Sequence, residues 1–152
     1  MKKRILIVED NFKKLEKIRE VLERELSTIE ICEKTSYNAA NKEIALNHAQ
    51  YDLILLDMSM QTYDISQEET GGDAEPLAGK NILNQMYLRH IPTKVIVVTM
   101  YENFVDGTRL KMLDEELKSK YSENYFGYIF FSHTHTEWTE QLVNQVTKIL
   151  EQ

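Results

Sequence analysis

Apolar residues in this chain gather into short runs that alternate with longer stretches of helical spacing. Ile5 to Val8 is an unbroken apolar run closed by Glu9-Asp10, which predicts a first strand buried on both faces. The residues that follow predict a helix with Phe12, Leu15, Ile18, Leu22 and Leu26 on its inner face. Lys13, Lys14, Glu16, Lys17, Glu20 and Glu23 then fall on the face toward water, and Asn11 or Asp10 can cap the start. Thr28 to Lys34 sets Ile29 and Ile31 against Glu30, a half-polar alternation suited to a second strand near a sheet edge. Asn38 to Ala49 reads as a helix with Ile44, Ala45 and His48 inward. Leu53 to Asp57 is the third strand, four apolar residues held between Asp52 and Asp57.

The second half repeats the pattern. Lys80 to Arg89 predicts a helix that turns Ile82, Leu83 and Met86 inward, and Pro92 marks the turn before a fourth strand, Lys94 to Thr99. Leu110, Leu113, Leu117 and Tyr121 outline a fourth helix, and Tyr125 to Phe131 is the fifth strand. Thr134-His-Thr-Glu137 has the form of a capping box, after which Trp138, Leu142, Val146 and Ile149 line a last amphipathic helix. Five strands alternating with five helices predict an α/β fold with a parallel sheet covered on both faces. All carboxyl ends of such a sheet share one edge. Glu9-Asp10, Asp57 and Thr99 should therefore meet in one cleft.

Composition narrows the function. The 152 residues suit one domain, and the 42% hydrophobic and 28% charged fractions are those of an ordinary globular chain. A formal net charge of -7 opposes a nucleic-acid binder, which needs a basic face for phosphates. Cys32 is the one cysteine, so no intrachain disulfide can form, and a cytoplasmic setting is expected. Met1-Lys-Lys-Arg4 resembles the start of an export signal, but the apolar run after it ends at Glu9-Asp10, too early for one. No stretch reaches the length of a membrane helix, so no membrane association is expected.

The strand-end acids carry the candidate chemistry. Carboxylates crowded into one cleft repel each other unless a cation or a proton relieves them. An oxygen-only donor set suits Mg²⁺, and a Mg²⁺ held by Glu9 and Asp10 would leave Asp57 placed to accept a phosphoryl group. Thr99 offers a hydroxyl at the same edge. Each residue also has a plain structural reading: strand-end or cap acids for Glu9, Asp10 and Asp57, and a β-branched strand terminus for Thr99.

The segments Arg4-Ile-Leu-Ile-Val-Glu-Asp-Asn11, Tyr51-Asp-Leu-Ile-Leu-Leu-Asp57, Val95-Ile-Val-Val-Thr99 and Gly127-Tyr128 together resemble the phosphoacceptor receiver domain of two-component response regulators. The resemblance spans nearly the whole chain. It implies a flavodoxin-like (βα)5 three-layer sandwich with a five-stranded parallel sheet in the order 2-1-3-4-5. It further implies that Glu9, Asp10, Asp57 and the backbone carbonyl of Ser59 bind Mg²⁺, and that Asp57 is the phosphorylated residue. By the same analogy Thr99 is the switch hydroxyl, and Tyr128 the aromatic whose rotation accompanies activation.

The chain departs from the family pattern at three places. Receivers carry a lysine at the end of the fifth strand, where this chain has Phe131 followed by Ser132-His133. His133 and His135 read either as a replacement positive charge or as loop or capping residues. The second fits better, because a neutral imidazole substitutes poorly for an ammonium. Met100 stands where the family has a small residue, and its bulk would restrict access to Asp57, slowing phosphorylation or prolonging the phosphorylated state. The loop of about 58–79 is long and acidic, with Asp64, Glu68, Glu69, Asp73 and Glu75, and is either a lid or docking element or an inert insertion.

The expected function is a stand-alone receiver in phosphorelay signalling, 1–152 forming the single domain. It would take its phosphoryl group from a histidine kinase or phosphotransfer protein and switch a surface for a downstream protein target. The fourth helix, fifth strand and fifth helix are also the expected place for a homodimer. The alternative is a phosphorylation-independent pseudo-receiver acting as an interaction module. A hydrolase is disfavoured because Ser59, not an acid, lies two residues beyond Asp57. A dinucleotide site is disfavoured because no Gly-x-Gly-x-x-Gly follows the first strand.

Overall fold

The computed structural model describes residues 2–58, 60–61, 74–75, 77–101 and 109–151. Its elements run β1 Lys3–Val8, α1 Phe12–Glu25, β2 Ile29–Lys34, α2 Tyr37–Asn47 with a 3₁₀ turn His48–Gln50, and β3 Leu53–Leu56. They continue as β4 Met60–Gln61, β5 Ala74–Glu75, α3 Ala78–Leu88, β6 Val95–Thr99, α4 Leu110–Lys120, β7 Tyr125–Phe130 and α5 Glu137–Leu150. β1, β2, β3, β6 and β7 form one parallel sheet in the order β2-β1-β3-β6-β7. That is the expected 2-1-3-4-5 order, with the half-polar β2 at an edge.

The period-two alternation of the strands divides the interior into two layers. Leu6 and Val8, Ile54 and Leu56, and Val95 and Val97 pack toward α2, α3 and α4. Ile5 and Ile7, Leu53 and Leu55, and Ile96 and Val98 pack toward α1 and α5. Since the central strands are apolar on both sides, they need a helix layer on each face. Burying one such Leu or Ile side chain stabilises the fold by about 1.5–3 kcal/mol.

β7 changes phase along its length. Its register with β6 shifts between Val95↔Tyr125 and Val97↔Tyr128, so two steps on β6 face three on β7. Gly127 takes φ +110 within that bulge, a conformation that glycine adopts without strain. The extra residue lets Tyr125 and Tyr128 pack on the same layer despite their odd spacing. It also directs Ile129 and Phe131 into the other layer.

Three expectations are corrected. Phe12 is 67% exposed while Lys14 is fully buried, because the inner ridge of α1 runs through Lys14, Leu15, Ile18, Val21 and Leu22. The capping box does not form. Thr136, not Thr134, precedes α5 and makes no side-chain cap bond, and its carbonyl accepts the Thr139 hydroxyl at 2.7 Å. The second helix ends at Asn47, and His48 opens the 3₁₀ turn.

β4 and β5 form a short antiparallel ribbon, Met60↔Glu75 and Gln61↔Ala74, at the base of the long acidic loop. Ser59 and most of that loop, including Asp64, Glu68, Glu69 and Asp73, lie outside the described residues. Leu77 lies in the left-handed region at φ 61, and the first turn of α3 brings Gly79 against the end of β3. The Gly79 amide donates to the Met58 carbonyl at 2.9 Å. A Cβ at Gly79 would lie 2.5 Å from the Asp57 carbonyl oxygen and 2.7 Å from the Met58 methyl carbon. Only glycine lets α3 approach so closely. Gly79→Ala should therefore cost about 1–3 kcal/mol, the usual penalty of overpacking. Urea unfolding measures it, and an unchanged midpoint would mean that α3 can slide away at no cost.

Candidate functional site

The site follows from strand alternation carried one residue past each strand end. Ile5 and Ile7 face the α1/α5 layer, so Glu9 is next on that side, and Leu53 and Leu55 lead likewise to Asp57. Neither acid has left the ladder. The Glu9 amide donates to the Lys34 carbonyl and the Asp57 amide to the Val8 carbonyl, both at 3.0 Å. Backbone pairing therefore fixes two carboxylates side by side beneath the first turn of α1, with side chains only 2% and 5% exposed.

Lys14 closes this arrangement. Asn11 caps α1 by accepting the Lys14 amide at 3.0 Å, which sets the helix phase and turns the Lys14 side chain inward. The buried ammonium lies 2.6 Å from Glu9 Oε1 and 3.3 Å from Asp57 Oδ1. It also donates to the Val98 carbonyl at 2.7 Å. Its three protons thus meet three acceptors, the condition for burying an ammonium. The remaining bonds come from backbone: the Asn11 amide donates to Glu9 Oε2 at 3.1 Å and the Met58 amide to Asp57 Oδ1 at 2.8 Å.

Burial sets the protonation. It pushes Glu9 up to about 8, with the Lys14 charge acting against the rise and the Asp57 charge adding to it. Asp57 is also raised by burial, against Lys14 and with Asp10. Burial works against the Lys14 ammonium, but Asp57 and Glu9 outweigh it and hold its pKa above the ordinary lysine value. Both acids keep protons longer in the folded chain than in the unfolded one.

Glu9, Asp10 and Asp57 each offer an oxygen, and these ligand atoms lie within 4.8 Å of one another. Hard oxygen donors at that spacing fit a small divalent cation. When all three acids are ionised and Lys14 is charged, the cluster carries two net negative charges, which one divalent ion balances. The three acids expected at one sheet edge are thus together.

The other expected site residues are distributed around this cluster. Thr99 is fully buried at the end of β6, and its hydroxyl accepts the Tyr101 amide at 3.3 Å. The Thr99 carbonyl accepts the Phe131 amide at 2.8 Å, which ties the end of β6 to the chain just beyond β7. Met100 is half-buried and leans on the α1/α5 layer. Phe131 is buried against Trp138, ring centroids 4.6 Å apart, and the Lys14 ammonium stands 5.9 Å from its ring centre. His133 and His135 are exposed turn residues, with His133 Nδ1 3.3 Å from the Lys17 ammonium. Tyr128 is half-buried against the α2/α3/α4 layer.

Lys14 is the site residue that the sequence pattern left on the wrong face. The signal was its spacing, four residues before Ile18 and eight before Leu22. That spacing continues the apolar ridge of α1.

No family model matches the chain. Solved structures share the fold: the chain superposes on a CheY-like response regulator receiver domain protein from Methanospirillum hungatei with a TM-score of 0.61 and 20% identity, covering 99% of this chain and 96% of that one. A two-component response regulator from Clostridium difficile gives 0.63 and 18%, covering 99% and 98%. In sequence, the chain is 31% identical over 151 residues to the Detocs response regulatory protein DtcB of Enterobacter cloacae, covering 96% of this chain and 99% of that protein. The chain belongs to the response regulators and has the receiver-domain fold.

The raised acids give a pH dependence. Unfolded Glu9 loses its proton near its ordinary 4.5, while folded Glu9 holds it to about 8. Between those values the folded state binds more protons, so stability falls as pH rises and the loss is complete above about 8. The urea midpoint of metal-free protein should decline across this window, and Glu9→Gln should flatten the decline. A midpoint rising from pH 5 to 8 would contradict the assignment.

Proposed function

We propose that the chain is a receiver that accepts a phosphoryl group on Asp57 with Mg²⁺ held by Glu9, Asp10 and Asp57. The observation that carries this reading is the buried Asp57 carboxylate at the end of β3, within bonding range of Lys14 and clustered with two further acids. An Asp57 oxygen forms the new bond to phosphorus. The donor's P–N or P–O bond breaks at the same time, and its leaving group keeps the electron pair and takes up a proton where its chemistry requires one. When bound, the divalent ion supplies charge neutralisation for the phosphoryl oxygens. Asp57 acts as a self-modified acceptor, with Thr99 as the hydroxyl that reads the modification.

The donor in this reading is a histidine kinase or phosphotransfer protein in the cytoplasm, and the output is a surface for a protein target or a second copy of the chain. α4 and β7 support that placement, since Met112, Phe126 and Phe130 are exposed there at 60%, 39% and 37%. Among the described residues no helix is long and apolar enough to cross a membrane. A phosphorylation-independent interaction module is the second reading. It is favoured by the direct satisfaction of Glu9 and Asp57 by Lys14, which needs no ligand, and by Phe131 at the end of β7.

Intact mass after incubation with acetyl phosphate separates the two. The receiver reading predicts a Mg²⁺-dependent gain of one phosphate that is lost in Asp57→Ala. An unchanged mass with and without Mg²⁺ supports the interaction module.

A further inference from the structure

We infer that Lys14, delivered from α1, is the fixed cation that binds the transferred phosphoryl group at Asp57. This rests on the proposed phosphorylation of Asp57 and takes its electrostatic partner from the first turn of α1.

A phosphoryl group entering this cluster adds anionic oxygens beside acids that are already crowded. A pre-placed, desolvated cation is worth far more there than one in water, because it needs no reorganisation during transfer. Lys14 meets that description: its side chain is 1% exposed, its ammonium is 3.3 Å from Asp57 Oδ1, and its position is set by helix phase and by the Val98 carbonyl. Asp57 Oδ1 also accepts the Met58 amide, so two donors are already directed at the acceptor carboxylate. Among the described residues Lys14 is the cation that ion-pairs with Asp57.

Phe131 completes the case. The side chain leaving the end of β7 is a ring, and the Lys14 ammonium sits 5.9 Å from its centre while the ring packs on Trp138. An aromatic face beside a buried ammonium is mildly stabilising and excludes water. Phe131 therefore acts as a wall of the Lys14 pocket. During transfer the Lys14 protons would exchange an acceptor on Glu9 or Asp57 for an oxygen of the phosphoryl group. The ammonium remains protonated before and after, and the bond changes at phosphorus are those given above.

The test compares Mg²⁺-dependent phosphorylation by acetyl phosphate in the wild type, in Lys14→Met and in the double variant Lys14→Met/Phe131→Lys. Methionine keeps an unbranched side chain of similar length without the charge. The inference predicts that Lys14→Met slows phosphorylation by about 10²-fold, the loss expected when one preorganised donor is removed. The double variant, with an ammonium supplied from the other side of the pocket, should recover at least about tenfold. Rescue separates a role of the charge from a role in packing. Phosphorylation of Lys14→Met within twofold of wild type overturns the inference and leaves Asp57 phosphorylation standing. A wild type that takes up no phosphate overturns the function itself.

If a variant does not fold, the wild type decides. Its Lys14 side-chain ¹⁵N resonance should shift when beryllofluoride and Mg²⁺ are added together. If the Asp57 and Met58 amides shift while the Lys14 resonance stays, Lys14 does not touch the phosphoryl position and the inference fails.

Discussion

A buried charge must find its counter-charge and its hydrogen bonds inside the protein, and the carboxyl edge of this sheet is arranged around that constraint. Glu9 and Asp57 are locked side by side by strand pairing, under a helix layer that excludes water. Without a cation they would repel when ionised or else keep a proton, and neither can move without breaking a ladder bond. Lys14 resolves the conflict by bonding both acids and the end of β6 from a single ammonium. Deleting one partner of such a group costs about 3–5 kcal/mol, because the remaining charge stays buried and unpaired. The first turn of α1, the ends of β1 and β3, and the Val98 carbonyl are therefore held in register by one side chain.

The same constraint orders the neighbouring features. Gly79 lets α3 seat on the Asp57–Met58 backbone, so the Asp57 carboxylate is supported from its main chain as well as from Lys14. The bulge at Gly127 sets the phase of β7 so that Phe131 enters the α1/α5 layer beside Lys14 while Tyr128 packs on the opposite layer. The end of β7 can be aromatic because the cation reaches this pocket from α1. A divalent ion held by these acids would add what the ammonium cannot supply, the balance of the two negative charges that remain when all three ionise.

Most of the fold was legible in the sequence because its strands are short, apolar and closed by acids, and its helices are strongly amphipathic. Glu9, Asp10 and Asp57 were legible as a group because parallel topology gathers strand ends at one edge, whatever each residue does alone. Lys14 was not, since a lysine next to another lysine in the first turn of a helix belongs in solvent by residue type, and only its position argues for burial. Its spacing from Ile18 and Leu22 carried the opposite message. Phe12 is the converse, an aromatic whose residue type suggests burial but which the phase of α1 turns out to solvent. The cap of α5 failed for a subtler reason. The turn at Ser132, whose hydroxyl accepts the Thr134 and His135 amides, leaves Thr136 rather than Thr134 at the start of the helix.

The most direct test of the account is a crystal structure of the full chain grown with Mg²⁺ and beryllofluoride. The account predicts beryllofluoride on Asp57, the metal among Glu9, Asp10 and Asp57, and the Lys14 ammonium within hydrogen-bonding distance of a fluorine. A beryllofluoride-bound Asp57 with no fluorine within hydrogen-bonding distance of the Lys14 ammonium would contradict it.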